Sequence, residues 1–290
     1  MTKSHLLKNP WKYGKVDPNI EKTNPYLNPA LAAKKAEDGN GSQNDNPNSG
    51  SIPPTHIPPI HNPNPPSPNS IIYQGDHTLM PQTNTYALGV HALQEQCQRD
   101  NNQNHPQFDL PNGRKVYRPK TFLENILLRM DDWETLENPD GSDRTLDERK
   151  RYFTTWLDSS CGIAYEKSTT NLKLRLQCPE LIGIDKNFSE ESLPIDYSSF
   201  INDVALDGSS QTFARDGWLA LLEGKEAVYT KYLKVLKEIK GNDITPNFWK
   251  RQNCSKDNLR AVYVNNLIDL SFANGDYVLN NDGCFVQVNP

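Results

Sequence analysis

Apolar side chains recur with a period near 3.6 residues in several segments of the chain, which is the spacing of one buried face of an amphipathic helix. This spacing predicts a helix over residues 84–98 and a second helix that begins near Pro119. A third begins at residues 145–148, where Thr-Leu-Asp-Glu has the spacing of a capping box. A further helical block covers residues 210–240, with Gly224 as a point of division.

Alternation of apolar and polar residues predicts β-strands between and after these helices. The segments GIAYE and LKLRLQ, which a polar turn joins, form a candidate antiparallel hairpin. Near the C terminus, Asn274-Gly275 and residues 281–283 have the composition of hairpin turns and predict a β-meander. The competing prediction is a helix through residues 258–273. Because helices and antiparallel strands alternate without a β-α-β rhythm, the predicted fold class is α+β.

The first 71 residues show neither period. Residues 39–71 are rich in proline and asparagine, a composition typical of a low-complexity linker. Residues 1–38 are polar, and their helix-favouring run is too short to be stable alone in water. We therefore predict a disordered N-terminal tail, then the linker, then a folded region over residues 72–290. A division of that region into two subdomains near residues 186–200 stays open.

The tail has apolar side chains at the end far from the folded region: Trp11, Tyr13, Tyr26 and Leu27. The linker that follows has almost no aromatic residues, so this segment is suited to docking on a protein partner. The leading hypothesis is a non-enzymatic protein-binding or scaffold protein with a tethered N-terminal interaction segment. The alternative is that the segment packs on the protein's own folded region.

Charge and cysteine content narrow the class of partner and compartment. The net charge is −5, and the acidic excess lies after residue 75, which disfavours nucleic-acid binding. The chain begins with a polar, proline-broken segment and has no apolar run long enough for a membrane span, so neither secretion nor a membrane partner is predicted. The five cysteines are widely spaced without a C-x-x-C pair, which indicates free thiols and a cytoplasmic location.

The positions of the histidines exclude several chemistries. All six lie at or before residue 105, so a histidine base or histidine-containing metal site confined to residues 106–290 is impossible. The sequence also lacks the P-loop, dinucleotide-binding, nucleophile-elbow and H-E-x-x-H motifs. No cofactor is therefore predicted, and a non-enzymatic protein is favoured over an enzyme.

Carboxylates on the helix that begins near Pro119 give the alternative function, a Mg²⁺-dependent hydrolase or nuclease. Glu124, Asp131 and Glu134 lie on this helix, and the last two are three residues apart. Neighbours at this spacing share a helix face, and Mg²⁺ prefers oxygen ligands. The competing interpretation is an ordinary solvated helix face.

Two further features are weaker candidates. Cys161, in the sequence DSSCG between a predicted helix and a predicted strand, is a candidate nucleophile if a base lowers its pKa, and otherwise a small buried apolar residue. Basic clusters would form a binding patch only if the fold brought them to one face. They are Arg114, Lys115 and Arg118; Arg149, Lys150 and Arg151; Lys231, Lys234 and Lys237; and Lys250 and Arg251.

Overall fold

Six α-helices and eleven strands make up the part of the chain that the structure describes, and the α+β class is confirmed. This structure is a computed structural model that describes residues 77–110, 113–201, 203–252, 254–266, 272–280 and 283–290. The predicted tail and linker lie outside these residues. No helix in the described ranges is long and apolar enough to cross a membrane.

The strands are mostly short. They are β1 (His77–Leu79), β2 (Gln107–Asp109), β3 (Lys115–Tyr117), β4 (Leu157–Tyr165), β5 (Asn171–Arg175), β6 (Leu193–Pro194), β7 (Val204–Asp207), β8 (Phe248–Trp249), β9 (Asn258–Val264), β10 (Ala273–Tyr277) and β11 (Val286–Val288). The helices are α1 (Tyr86–Arg99), α2 (Phe122–Glu134), α3 (Leu146–Lys150), α4 (Pro179–Ile182), α5 (Phe213–Leu221) and α6 (Glu226–Lys240), with a 3₁₀ turn at Tyr197–Ser199.

Seven strands form one mixed sheet in the order β7-β5-β4-β9-β10-β8, and β6 pairs with β9 beside this path. All pairs are antiparallel except β10 with β8. β4 and β9 lie at the centre, and every residue of both strands is buried. Two small antiparallel sheets, β1 with β11 and β2 with β3, lie apart from it.

A layer of helices covers each face of the main sheet. Val262 and Val264 of β9 belong to the core that α2, α5 and α6 complete. Leu259 and Ala261, the alternate residues of the same strand, belong to the core that α1 and α4 complete. Because successive side chains of a strand point to opposite faces, β9 contributes to both cores.

Local signals for the helices are largely confirmed. A capping box at Thr145 and Glu148 starts α3 as predicted, although α3 ends at Lys150. Helix α2 begins at Phe122, three residues after Pro119, because Thr121 accepts the Glu124 amide and the Glu124 carboxylate accepts the Thr121 amide. The predicted block at 210–240 is divided at Gly224, whose φ is +68°. The left-handed Gly241 ends α6.

The strand predictions are confirmed for the hairpin of β4 and β5, in which Ile163 lies opposite Leu174. The turn predicted at Asn274-Gly275 is wrong, because both residues lie inside β10. A side chain at Gly275 would touch Ile163 and Phe248, so this glycine is required for close packing and not for a turn. The competing helix over residues 258–273 is also wrong, since β9 lies there. The last strand, β11, pairs with β1.

Candidate ligand-binding cleft

Glu124, the first of the predicted magnesium ligands, has a structural role. Its carboxylate accepts the Thr121 amide at 2.7 Å and completes the capping box of α2. It also accepts two hydrogen bonds from the Arg118 guanidinium, at 2.8 and 2.9 Å. Both side chains are almost entirely buried. The oxygens that a metal ion would need are therefore already used by the helix terminus and the arginine.

Asp131 and Glu134 lie at the other end of α2, and both are exposed. The Glu134 carboxylate accepts a hydrogen bond from the Lys231 ammonium group at 2.8 Å. Over the described ranges, no three histidine, cysteine, aspartate or glutamate side chains come close enough to hold a metal ion. The structure therefore does not bring the three predicted carboxylates together.

Cys161 lies within β4 and is fully buried, so the prediction that it lies between a helix and a strand is wrong. Its thiol donates to the Leu176 carbonyl at 3.0 Å, and its sulfur accepts the Phe122 amide at 3.3 Å. Burial raises the pKa of this thiol to about 12. A nucleophilic cysteine needs a lowered pKa and access to substrate, so Cys161 has the properties of a buried apolar residue.

His105, the last histidine of the sequence, is buried and hydrogen-bonded to the backbone. Its Nδ1 accepts the Val288 amide at 3.2 Å, and its Nε2 is 2.8 Å from the Arg118 carbonyl and donates to it. Burial, and then the charge of Lys120, lower the pKa of His105 to about 3. The neutral ring is therefore a fixed link between β11 and the residue after β3.

Several side chains of the predicted basic clusters are held by contacts with neighbouring groups of the protein. Arg149 lies over the Trp133 ring at 4.2 Å and donates to the Trp133 carbonyl. Arg151 forms an ion pair with Asp132 at 3.1 Å, and Lys237 pairs with Asp243 at 3.0 Å. These cations stabilise their own surroundings, so the clusters provide little support for a shared nucleic-acid patch.

A polar cleft forms where β9 changes its partner strand. β10 pairs with β9 up to Ala261, and β6 pairs with β9 at Leu259 and Asn258. Arg260 lies between these two points, and its side chain is 1% exposed. Its Nη1 donates to both the backbone carbonyl and the carboxylate of Asp276 at 2.7 Å. The arginine therefore fills the break between the two partner strands.

The cleft next to this break has a volume of about 470 Å³. Its walls consist of polar side chains and one cysteine: Glu190, Glu191, Ser192, Arg251, Cys254, Ser255, Lys256, Asn258 and Asn280. Pockets of this volume commonly hold small ligands, but those pockets are mostly apolar. A lining of this kind favours a ligand that is itself rich in hydrogen-bonding groups.

Asn258 lines the cleft, and its side-chain oxygen is buried and unsatisfied. The residue is 4% exposed, and its Nδ2 donates to the Lys256 carbonyl at 2.9 Å. This contact fixes the orientation of the amide, since only nitrogen can donate to a carbonyl. Oδ1 is buried and accepts no hydrogen bond from any residue that the structure describes. Burying an unpaired acceptor is unfavourable, and this oxygen lies beneath the surface of the cleft.

Arg251 is one of two cations in the wall of the cleft, with Lys256, and its contacts with carboxylates are long. Its Nη1 is 3.5 Å from Glu191 and 3.9 Å from Asp276. Arg260 is closer to the same two carboxylates, at 3.3 and 2.7 Å. The side chain of Arg251 is 38% exposed, so its guanidinium N–H groups can donate to a further anion.

A second, smaller cavity of about 310 Å³ lies beside α1 and β11. Several of its polar side chains already pair with one another: Gln96 donates to Asp100 at 2.7 Å, and Thr78 donates to Asn289 at 2.8 Å. This cavity therefore has fewer polar groups available to a ligand than the cleft at Asn258.

The sequence had given one weak signal for the cleft, the basic residues around Arg251. Nothing in its pattern distinguished Glu191, Asn258, Arg260 or Asp276. They come from three separate segments of the chain, and only the pairing of β6, β9 and β10 brings them together. The predicted binding residues of the tail, Trp11, Tyr13, Tyr26 and Leu27, lie outside the described residues.

No model of a known protein family matches the chain, and no curated protein matches it. A solved structure described as "Accommodation of massive sequence variation in Nanoarchaeota by the C-type lectin fold" is similar to it, with a TM-score of 0.47 and 14% sequence identity. The similarity covers 74% of this chain and 99% of the other. A likeness of this size supports no argument about the fold family or the function.

Proposed function

We propose that this chain is a non-enzymatic protein-binding protein whose folded region takes up part of its partner in the cleft at Asn258. The observation that carries the proposal is an open cleft of about 470 Å³ with a polar lining, in whose wall the Arg251 side chain is 38% exposed. The candidate nucleophile Cys161 and the histidine His105 are instead enclosed and bonded within the protein. The polar groups that a ligand can reach are thus suited to recognition.

The N-terminal segment is the second half of the proposal. Trp11, Tyr13, Tyr26 and Leu27 would dock on the same partner through the proline-rich spacer and add an intramolecular binding step to that of the cleft. A cytoplasmic location belongs to the proposal as well, because all five cysteines are free and buried. The alternative, a magnesium-dependent hydrolase, has no support in the positions of Glu124, Asp131 and Glu134.

The cleft can be tested with a library of random peptides displayed on phage and selected on the full-length protein. Peptides that survive selection would be synthesised, and their affinity measured by fluorescence polarisation. We expect Arg251→Glu to remove binding of most selected peptides. Lys234→Glu, the same charge change at an exposed position of α6 outside the cleft, should leave binding unchanged. Failure to select any peptide, or equal binding by both variants, would contradict the proposal.

The tail is tested by replacing Trp11, Tyr13, Tyr26 and Leu27 together with alanine. Because the tail is expected to act only through the partner, the thermal melt of the folded region should stay the same. The amount of a partner recovered by the full-length protein should fall sharply. Undiminished recovery would show that these four side chains are not the docking segment.

A further inference from the structure

We infer that the cleft takes up an extended peptide segment that carries one acidic and one basic side chain at adjacent positions. This inference rests on the proposed function and adds the chemical class of the segment. The cavity has a volume of about 470 Å³, which lies within the range of sites that hold small ligands. Every charged side chain that lines it is exposed or partly exposed, so a ligand can reach each of them.

The charges of the lining are separated by chain segment. Both carboxylates, Glu190 and Glu191, lie on the segment that leads into β6, and both cations, Arg251 and Lys256, lie on the segment between β8 and β9. The two segments meet where Arg251 Nη1 lies 3.5 Å from the Glu191 carboxylate. One side of the cleft is therefore acidic and the other side is basic.

These charges are available to a ligand. Glu190 and Lys256 are exposed, and over the described ranges neither of them forms an ion pair within the protein. The contact between Arg251 and Glu191 is long and faces solvent, so little stability is lost when a ligand separates the two groups. Glu191 would keep its contact with Arg260, at 3.3 Å.

A ligand of one sign fits only half of this lining. A phosphate chain or an acidic peptide would be attracted by Arg251 and Lys256 and repelled by Glu190 and Glu191, and the reverse holds for a polybasic segment. A ligand with a group of each sign can pair with both sides. The lining therefore favours a ligand that is neutral overall and carries one positive and one negative group.

An extended peptide presents two such groups in the required directions. Successive side chains of an extended segment point to opposite sides, so adjacent lysine and aspartate residues would reach opposite sides of the cleft. The backbone between them carries N–H and C=O groups. Ser192, Ser255 and Asn280 of the lining can pair with these groups, because their side chains form no hydrogen bond within the described part of the chain.

The ligand is tested with the full-length protein and acetylated, amidated hexapeptides of the form Ser-Gly-X-Z-Gly-Ser. The pair X-Z is Lys-Asp, Gln-Asp or Lys-Asn, and each pair is measured in both orders by isothermal titration calorimetry. We expect the better Lys/Asp order to bind about fivefold more tightly than either singly charged peptide at low salt, which corresponds to about 1 kcal/mol. The advantage should shrink in high salt, because the charges are exposed.

The two sides of the cleft are tested separately by variants of the protein. Glu190→Lys should remove the advantage of lysine over glutamine in the peptide and keep that of aspartate over asparagine. Arg251→Glu should have the opposite effect. The matched controls Glu95→Lys and Lys234→Glu change exposed residues outside the cleft, so both advantages should persist.

The outcomes separate this inference from the proposed function. If displayed peptides are selected but the Lys/Asp peptides bind no better than the singly charged ones, the inference is overturned and the protein-binding function stands. If Glu190→Lys and Arg251→Glu affect both advantages alike, the two sides do not read separate charges, and the inference is again wrong. If free glycine displaces the bound hexapeptide, the ligand is a small zwitterion and not a peptide segment. If no displayed peptide is selected at all, the proposed function itself fails.

Discussion

Two networks of arginine and carboxylate side chains, one at the start of α2 and one at the cleft, differ in burial. In the network at the start of α2, Arg118 and Glu124 form two hydrogen bonds of 2.8 and 2.9 Å, with side chains 7% and 10% exposed. In the network at the cleft, Arg251 lies 3.5 Å from Glu191, with side chains 38% and 59% exposed. The residue types are the same, but the first pair is enclosed by protein and the second faces solvent.

This difference separates structural charges from charges that can bind a ligand. A buried ion pair cannot lose one member without leaving the other unpaired in a medium of low dielectric constant. An exposed pair is screened by water and exchanges partners easily. The same chemistry therefore fixes a helix terminus at Glu124 and leaves Arg251 available at the cleft.

The largest expected effect is that of Glu124→Gln. This change removes the charge that pairs with the buried Arg118 and weakens the capping box of α2, so we expect the free energy of unfolding to fall by about 3–5 kcal/mol. The measurement is urea unfolding followed by circular dichroism. Glu191→Gln, the matched change at the cleft, should cost about 0–1 kcal/mol. Equal losses in the two variants would remove the distinction between the networks.

Acid should act on the enclosed network through His105, which donates to the Arg118 carbonyl. Its pKa is about 3 in the folded protein and 6.5 in the reference state. The unfolded chain therefore takes up the proton first, and the contribution of His105 to stability is complete above pH 6.5 and lost as the pH falls towards 3. At pH 4.5 the expected loss is about 2–3 kcal/mol.

The measurement that isolates this contribution compares urea unfolding of the wild type and of His105→Gln between pH 7 and pH 4.5. Other titrating groups, including His77, are present in both proteins, so their effects cancel in the difference. We expect the stability gap between the two proteins to narrow as the pH falls. A gap that stays constant would show that the pKa of His105 is the same in the folded and unfolded states.

Within the cleft, loss of the buried Arg260 should reduce the stability more than loss of the partly exposed Arg251. Arg260→Met removes a buried guanidinium group that binds the Asp276 carbonyl and carboxylate, and we expect a loss of about 1.5–3 kcal/mol, typical of hydrogen bonds to charged groups. Arg251→Met should change the stability by about 1 kcal/mol or less. Thermal melts of both variants provide the test, and a larger loss for Arg251 than for Arg260 would contradict the assignment of roles.

The smallest effect should be that of Glu134→Gln, at the exposed end of the helix that Glu124 starts. Its pair with Lys231 is about half exposed on both sides, so we expect a loss of at most about 1 kcal/mol that disappears in high salt. Addition of Mg²⁺ should raise the melting temperature of neither protein. A rise confined to the wild type would restore Glu134 as a metal ligand.

The local elements of the fold could be predicted where the signal lies within a few residues of chain. The capping box at Thr145 and Glu148 and the left-handed Gly241 depend on hydrogen bonds between near neighbours, so their spacing in the sequence is sufficient. Asn274-Gly275 has the composition of a turn, but packing against Ile163 and Phe248 holds it in a strand. There a contact between residues distant in sequence overrides the local preference.

The candidate site could not be predicted from the sequence, because it too depends on contacts between residues that are distant in the chain. Cys161 and Glu124 have residue types that can act in catalysis, and only burial and hydrogen bonding show that neither is available. Arg251 and Asn258 have ordinary residue types for a surface loop and a strand. Their position at one cleft depends on how β6 and β10 share the edge of β9.

The sequence by itself determined the α+β class, most helix positions and the hairpin of β4 and β5 in the described region, and the absence of histidine after residue 105. These follow from periodicity, capping and residue content, which are properties of short segments. The tertiary structure decided which charges are enclosed and which remain accessible. That distinction depends on solvent exclusion by residues far apart in the chain, and so it appears only when the sheet and its helices are assembled.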